Sequence, residues 1–418
     1  RTGLPTIVAE DPRALLGTVA RWAYGDPAEG LLLIGITGTN GKTTTAYLVE
    51  SGLRAAGRIT GLIGTVETHA GELVLPSVRT TPEATDLQAL FALMRERGVG
   101  AAVLEVSSHA LALGRVDAVT VDVAVFTNLS QDHLDFHGDL ESYFAAKARL
   151  FTPEHARLGV IDIDDAHGAR LAAMATVPVI TVGDRGDWRR EELATAPDGA
   201  SFRIVDRSGS RLTGRTQLLG EFNARNASLA LVALIAAGID PEQAGTGIAS
   251  LPGVPGRMER IDVGQPFLAL VDYAHTPDAV ARLLAAVRAS IPGRLAVVLG
   301  CGGNRDQGKR PLMGAVAARD ADLVVFTNDN PRSEDPAAIL MAMQAGAGSV
   351  PVAHRAELLV EPDRRAAIAL AVARTGRGDA VVVAGKGHEQ GQEQGTGIAP
   401  FDDRRELAAA LAGLGSVR

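Results

Sequence analysis

"LLLIGITGTNGKTTTAYLVE", Leu31 to Glu50, is the stretch whose reading decides the fold. The apolar run Leu31 to Ile36 reads as a strand buried on both faces, as in a parallel sheet covered by helices. It breaks at Gly38-Thr39-Asn40-Gly41, and Lys42-Thr43-Thr44 opens a helix. A glycine-rich turn here aims backbone N–H groups and a helix N-terminus at one point, which stabilises an anion. With Lys and Thr following, it reads as a phosphate loop: Lys42 neutralises outer phosphates and Thr43 ligates Mg²⁺. The strict spacing is not met, because Ile36 stands where the first Gly belongs. The bland alternative is an ordinary strand-to-helix turn, and Gly-Lys-Thr after a buried strand favours phosphate binding.

Working outward, strands are expected near 31–37, 58–64, 101–106, 121–127, 158–163 and 177–182, with helices near 42–56, 83–97, 139–150 and 165–175. Such alternation means an α/β fold with a mostly parallel sheet. A polar stretch follows near 185–215, then helices near 223–237 and 241–250. "SLPGVPGRME", Ser250 to Glu259, is the linker candidate. Alternation then restarts, with strands near 266–272, 294–300, 321–327 and 379–385. The expected architecture is a central P-loop ATPase domain, 31–255, and a smaller Rossmann-like C-terminal domain, 256–418. Residues 1–30 read as the tail of something upstream, and the absent initiator Met suggests a trimmed chain.

A net charge of −8 over 418 residues argues against nucleic acid as a main partner. The single cysteine, Cys301, excludes an intramolecular disulfide framework and fits a reducing compartment. No apolar run approaches a membrane span, and the first residues show no leader-like apolar core. The expectation is a cytoplasmic chain without membrane insertion. Of 41 basic residues only Lys42, Lys147, Lys309 and Lys386 are lysines, each in a motif-like segment. In so arginine-biased a chain, a retained lysine suggests a task that guanidinium cannot perform.

Other polar loops follow predicted strands, where open α/β sheets bind ligands. Glu105 ends one strand in "VLEVSSHALALGRV". Asn128, Asp132, His133, Asp135 and His137 follow the next, and Glu105 and His133 are candidates to converge. For each His alone, a hydrogen-bonded loop residue is the simpler reading. Lys147 by itself reads as a solvated helix face. Asn223 reads as a helix N-cap with Asn226 one turn on. Arg257 lies in the linker, Asp272 ends a strand, and Pro277 suits a first helical position. In the second domain, "GCGGNRDQGKRP", "FTNDNPRSEDP" and "AGKGHEQ" place Arg305, Asp329-Asn330-Arg332 and Glu389 at strand carboxyl ends. Two Arg suit a carboxylate and the acids and amide suit an ammonium, so together they fit a zwitterionic amino acid.

"GTNGKTTT", "TTPE", "EVSSHAL", "TNLSQDHLDFHG", "AAKARLF", "GEFNARN", "VPGRME", "DYAHTPDA", "GCGGNRDQGKRP", "DNPR" and "GKGHE" resemble, in order, the Mur ligase family from about Leu31 onward. The resemblance implies an ATP-dependent ligase of peptidoglycan precursor synthesis that phosphorylates a substrate carboxylate before an amine attacks the acyl phosphate. It implies ATP contacts at Gly38, Thr39, Asn40, Gly41, Lys42, Thr43, Thr44, Asn223, Asn226, Arg257 and Asp272. It implies two Mg²⁺ ions on Thr43, Glu105, His133 and Lys147, with Lys147 carbamylated, which overrides its bland reading. Lys42, Glu105, His133 and Lys147 form the implied catalytic set. Thr80, Thr81, Ser107 and Arg115 match positions that hold UDP-N-acetylmuramoyl-L-alanyl-D-glutamate. Arg305, Asp329, Asn330, Arg332, Gly385 and Glu389 match the amino-acid pocket, and Asp-Asn-Pro-Arg at its turn implies meso-diaminopimelate. The resemblance also implies a uridine-binding N-terminal domain, of which 1–30 would be the remnant, and a monomer is expected. Rival readings are a ligase adding glutamate to folate, a ligase for another amino acid, and an ATP-driven switch without ligation.

Overall fold

The computed structural model describes residues 8–196, 198–395 and 397–415. An eleven-stranded sheet organises the first part. Leu32–Thr37 lies between Ala101–Glu105 and Val121–Phe126, parallel to both. Ala156–Asp162, Val179–Gly183 and Trp188–Ala196 extend the parallel order on one side and Thr60–Ile63 on the other. The continuous apolar runs are the central strands, buried on both faces. One core packs Ile34 and Ile36 against the helices Lys42–Ala55 and Glu221–Ala236, and the other packs Leu33 and Leu104 against Phe91 and Phe144.

The polar stretch 185–215 is not a loop. It holds Trp188–Ala196, Gly199–Val205 and Arg211–Thr216, the latter two adding antiparallel strands to the sheet. Their charged side chains occupy the exposed face, so the sequence shows no continuous apolar run. At the opposite edge an unanticipated hairpin, Glu67–Ala70 and Leu73–Pro76, pairs antiparallel with Thr60–Ile63.

The second sheet has six strands, in the order Glu259–Arg260, Leu268–Asp272, Ala380–Ala384, Leu295–Leu299, Leu323–Phe326 and Glu357–Val360. All pairs are parallel except the first. Helices cover both faces. Ala380–Ala384 inserts between Leu268–Asp272 and Leu295–Leu299, so chain order and spatial order differ. The linker is packed rather than loose, with Val254 fully buried in the first domain's core. Within 1–30, residues 1–7 lie outside the described set. Asp11 caps the helix Pro12–Ala23, and Arg13 reaches the Leu113 carbonyl and Glu83. Residues 416–418 of the expected second domain also lie outside the described set. Among the described residues no helix is long and apolar enough to cross a membrane.

Two glycines let the helices Lys309–Asp320 and Pro336–Gly348 touch backbone to backbone. A methyl on Gly314 would run into the Met343 carbonyl, and one on Gly346 into that of Pro311. Gly314→Ala is expected to cost about 1–3 kcal/mol through overpacking. The measurement is the urea midpoint, and an unchanged midpoint would show that the helices separate without penalty.

Candidate functional site

The phosphate loop is built from left-handed glycines and borrowed side chains. Gly38 (φ 145°) and Gly41 (φ 88°) take backbone angles that L side chains rarely adopt. A methyl on Gly41 would sit 2.6 Å from Asn226 Oδ1, and one on Gly38 would strike the Thr127 hydroxyl. The loop is anchored by Thr39 N–H donating to Asn128 O at 2.8 Å and Asn40 N–H to Asn128 Oδ1 at 3.0 Å. Lys42 Nζ folds back onto the carbonyls of Gly38 and Thr39 at 2.9 and 3.0 Å.

Lys147 Nζ donates to the same Gly38 carbonyl at 2.8 Å and stands 4.6 Å over the Tyr143 ring. Its side chain is buried, so the solvated-face reading is wrong. Periodicity alone does not show which face of a short helix meets the loop. Burial, and then the neighbouring Lys42 charge, hold the Lys147 pKa well below that of a free lysine.

Glu105 is fully buried at its strand end. It accepts from the Thr43 hydroxyl at 2.9 Å, Thr65 N–H at 2.8 Å and the Thr65 hydroxyl at 3.0 Å. His133 does not join it by any hydrogen bond among the described residues. It takes a left-handed backbone angle (φ 54°), pairs with Asp132 at 3.4 Å and meets the His109 ring at 4.7 Å. No group of three or more His, Cys, Asp and Glu side chains is gathered among the described residues. The oxygens of Thr43 and Glu105 fit Mg²⁺ nonetheless, since that ion takes one or two carboxylates and completes its shell with phosphates and water.

A cavity of about 240 Å³ opens between the domains, lined by the loop, Asn223, Asn226, Arg257 and the strand end Asp272 to Thr276. Asn223 is not the N-cap, since Gly220 holds that place. Its amide donates to Leu219 O at 2.8 Å and its oxygen accepts from Asn226 at 3.1 Å, which fixes the Asn226 oxygen against Gly41. Arg257 lies 4.3 Å over the Tyr273 ring and reaches Thr43 Oγ1 at 3.3 Å. Asp272 accepts from the N–H groups of Met258 and Ala274, both at 2.7 Å, and so ties the linker to the second sheet. Thr44 is buried in the helix's first turn.

Thr80, Thr81, Ser107 and Arg115 are brought together beside Glu105. The Thr65 hydroxyl lies 3.1 Å from Thr80 Oγ1. Thr81 donates to the Glu105 carbonyl at 2.8 Å and accepts from Ser107 N–H at 3.0 Å. Arg115 reaches the Thr81 carbonyl at 3.2 Å and Glu83 at 2.9 Å.

A second cavity, of about 660 Å³, lies between Thr65, Glu67 and Leu75 on one side and Asn330, Arg332 and Glu389 on the other. Arg332 is itself left-handed (φ 54°), with Nε 2.8 Å from Glu393 and one terminal nitrogen 2.8 Å from Gly303 O. Asp329 is buried beneath Gly385 (φ 111°), where a methyl would sit 2.6 Å from the carboxylate. Arg305 is exposed and flanks Gly302 together with Arg332. Lys386, given no role from sequence, is fully buried and donates to Asn330 Oδ1 at 2.8 Å and Glu389 Oε2 at 2.9 Å. The rarity of lysine was the one signal that marked it.

Residues 36–234 match the Mur ligase middle domain, and residues 256–387 match the domain described as "Mur ligase, glutamate ligase domain". The UDP-N-acetylmuramoyl-L-alanyl-D-glutamate–2,6-diaminopimelate ligase of Streptomyces coelicolor is 57% identical over 98% of this chain and 81% of its own length. A solved structure of a ligase of that name is 34% identical, with a TM-score of 0.68 over 99% of this chain and 86% of its own. Folylpolyglutamate synthase of Mycobacterium tuberculosis has a TM-score of 0.71 over 98% of this chain and 95% of its own, but at 20% identity it shares the fold alone. Two domain matches in order, and this identity along nearly the whole chain, show that the chain belongs to the Mur ligase family.

Proposed function

We propose that the chain is an ADP-forming ligase that joins meso-diaminopimelate to the D-Glu γ-carboxylate of UDP-N-acetylmuramoyl-L-alanyl-D-glutamate, a step of peptidoglycan precursor synthesis. The identity to the Streptomyces relative carries the reading. Thr65 supports it, because it lines both cavities and so joins the phosphate loop to the Arg332 pocket.

On this reading 31–255 is the ATP-binding domain and 256–418 the amino-acid-binding domain. ATP lies along Gly38 to Thr44 with Asn223, Asn226, Arg257 and Asp272 around it. Lys42 meets the phosphates at the helix N-terminus. The substrate carboxylate, held by Thr80, Thr81, Ser107 and Arg115, attacks the γ-phosphorus, and ADP leaves. The amine nitrogen then attacks the acyl carbon, and phosphate leaves. Thr43 and Glu105, joined by His133 and the carbamate of Lys147, would hold two Mg²⁺ ions. When bound, these neutralise charge on the phosphoryl oxygens.

Arg305, Asp329, Asn330, Arg332, Gly385 and Glu389 form the pocket for the amine substrate. A guanidinium placed for the second carboxylate of diaminopimelate is left unpaired by lysine, which lacks it. The test is ligation in equimolar meso-diaminopimelate and L-lysine, read by mass spectrometry. The expected product carries diaminopimelate alone. Arg332→Ala is expected to narrow that preference by about 10- to 100-fold. A lysine product from the unsubstituted chain, or an unchanged preference in Arg332→Ala, would move specificity elsewhere. Absence of any product would overturn the ligase reading.

A further inference from the structure

Asn40, in the phosphate loop, is held from several sides. Its N–H donates to Asn128 Oδ1 at 3.0 Å, and its carbonyl accepts from the Thr127 hydroxyl at 2.6 Å and from Asn128 Nδ2 at 3.0 Å. The two side-chain N–H groups point to different domains. Nδ2 lies 3.2 Å from Ser130 Oγ in the first domain and 3.2 Å from Asp278 Oδ2 in the second.

Asp278 sits in the first turn of the helix Pro277–Arg288, which Thr276 caps. Its Oδ1 accepts from Arg282 Nε at 3.0 Å, one turn on. An acid in a first turn and a pair with Arg four residues later are ordinary, small stabilising features of a helix. They account for Oδ1. They do not account for Oδ2, which reaches a loop 238 residues away. That bond crosses the rim of the nucleotide cavity. One wall there is Asn40 to Thr44 and the other is the strand end Asp272 to Thr276. Asp278 follows the second wall by two residues, and the Thr276 hydroxyl accepting from Ala279 N–H at 3.3 Å fixes the turn between them. Arg282 lines the same cavity and offsets the carboxylate's charge, which lessens its repulsion of phosphates at the loop.

Resting on the nucleotide-binding reading above, we propose that Asp278 is a positioning residue for the nucleotide, clasping the second domain to the phosphate loop through Asn40. A cavity whose walls lie on two domains binds only while they face each other. Its apparent affinity falls with the fraction of molecules in which they do. The Asn40–Asp278 bond raises that fraction before nucleotide arrives. Bound nucleotide strengthens the contact in return, because coupling between the two is reciprocal.

The experiment is a calorimetric titration of the chain with ADP in Mg²⁺. Asp278→Ala is expected to weaken ADP binding by about 3- to 10-fold, the scale of one lost hydrogen bond. Asp278→Asn keeps an oxygen acceptor without the charge and is expected to recover most of that loss. In an Asn40→Ala background, Asp278→Ala is expected to weaken binding no further, because its partner is already gone. An Asp278 that merely stabilised its helix would lower the urea midpoint in both of its variants and leave ADP affinity unchanged. Unchanged affinity in Asp278→Ala, an equal loss in Asp278→Asn, or an equal further loss in the Asn40→Ala background would each overturn the proposal and leave the ligase reading standing. If the unsubstituted chain does not bind ADP, the nucleotide-binding reading fails and this proposal falls with it.

Discussion

Lys147→Ala is expected to lose on the order of 10²–10³-fold in kcat, the scale of removing one fixed group that stabilises transferring charge. Added acetate or formate is expected to restore part of it. The reason lies in the Gly38 carbonyl, which accepts from both Lys42 and Lys147. Two ammonium groups on one oxygen repel, and burial penalises the Lys147 charge further. The lowered pKa favours the free amine, the form that reacts with CO₂. On the proposed carbamylation the N–C bond would form, one proton would leave, and a carbamate anion would stand beside the Lys42 cation. Guanidinium stays protonated and cannot follow this route. Lys147→Arg should therefore be as inactive as Lys147→Ala and, with the space filled, not recover in formate. Wild-type turnover by Lys147→Ala would remove the residue from the machinery. Equal rescue of both variants would show that the acid acts elsewhere.

The largest loss of stability is expected from Arg364→Met. Arg364 and Asp403 are both fully buried and form a paired contact, with Nε and one terminal nitrogen each 2.7 Å from a carboxylate oxygen. That nitrogen also donates to Ala384 O at 2.9 Å, and the other terminal nitrogen lies 3.5 Å from Asn328 O. Removing the guanidinium strands a carboxylate in a dry core, which costs about 3–5 kcal/mol. Replacing both partners, in Arg364→Met with Asp403→Leu, is expected to recover much of this, because matched apolar residues carry no desolvation penalty. Urea unfolding measures both. Undiminished stability in the single variant, or a double variant no better than it, would refute the account. The same pair ties down the carboxyl ends of two pocket strands, since Asn328 precedes Asp329 and Ala384 precedes Gly385. The single variant is therefore also expected to raise KM for the amine.

Much of the fold was legible because buried parallel strands write their burial into the chain. Leu32–Thr37, Ala101–Glu105, Val121–Phe126 and the second sheet's central strands are continuous apolar runs. The edges were not legible. Ser201 and Arg203 interrupt the buried residues of Gly199–Val205, Arg211–Thr216 is mostly exposed or half-buried, and Glu67–Ala70 is four residues long. The phosphate loop was legible for a local reason, since Gly-Lys-Thr after a strand forms its site within six residues. Lys147 and Glu105 carried no such local sign.

The sequence by itself therefore determined the two α/β domains, the phosphate loop and the strand ends where polar groups gather. Period and composition act through neighbours along the chain. Only the tertiary structure decided which of those groups meet. Lys147 meets Gly38 across 109 residues, Thr43 meets Glu105 across 62, and Lys386 meets Asn330. Such meetings depend on the order of strands in a sheet and on how one domain faces the other, and both are set by packing between segments far apart in the chain.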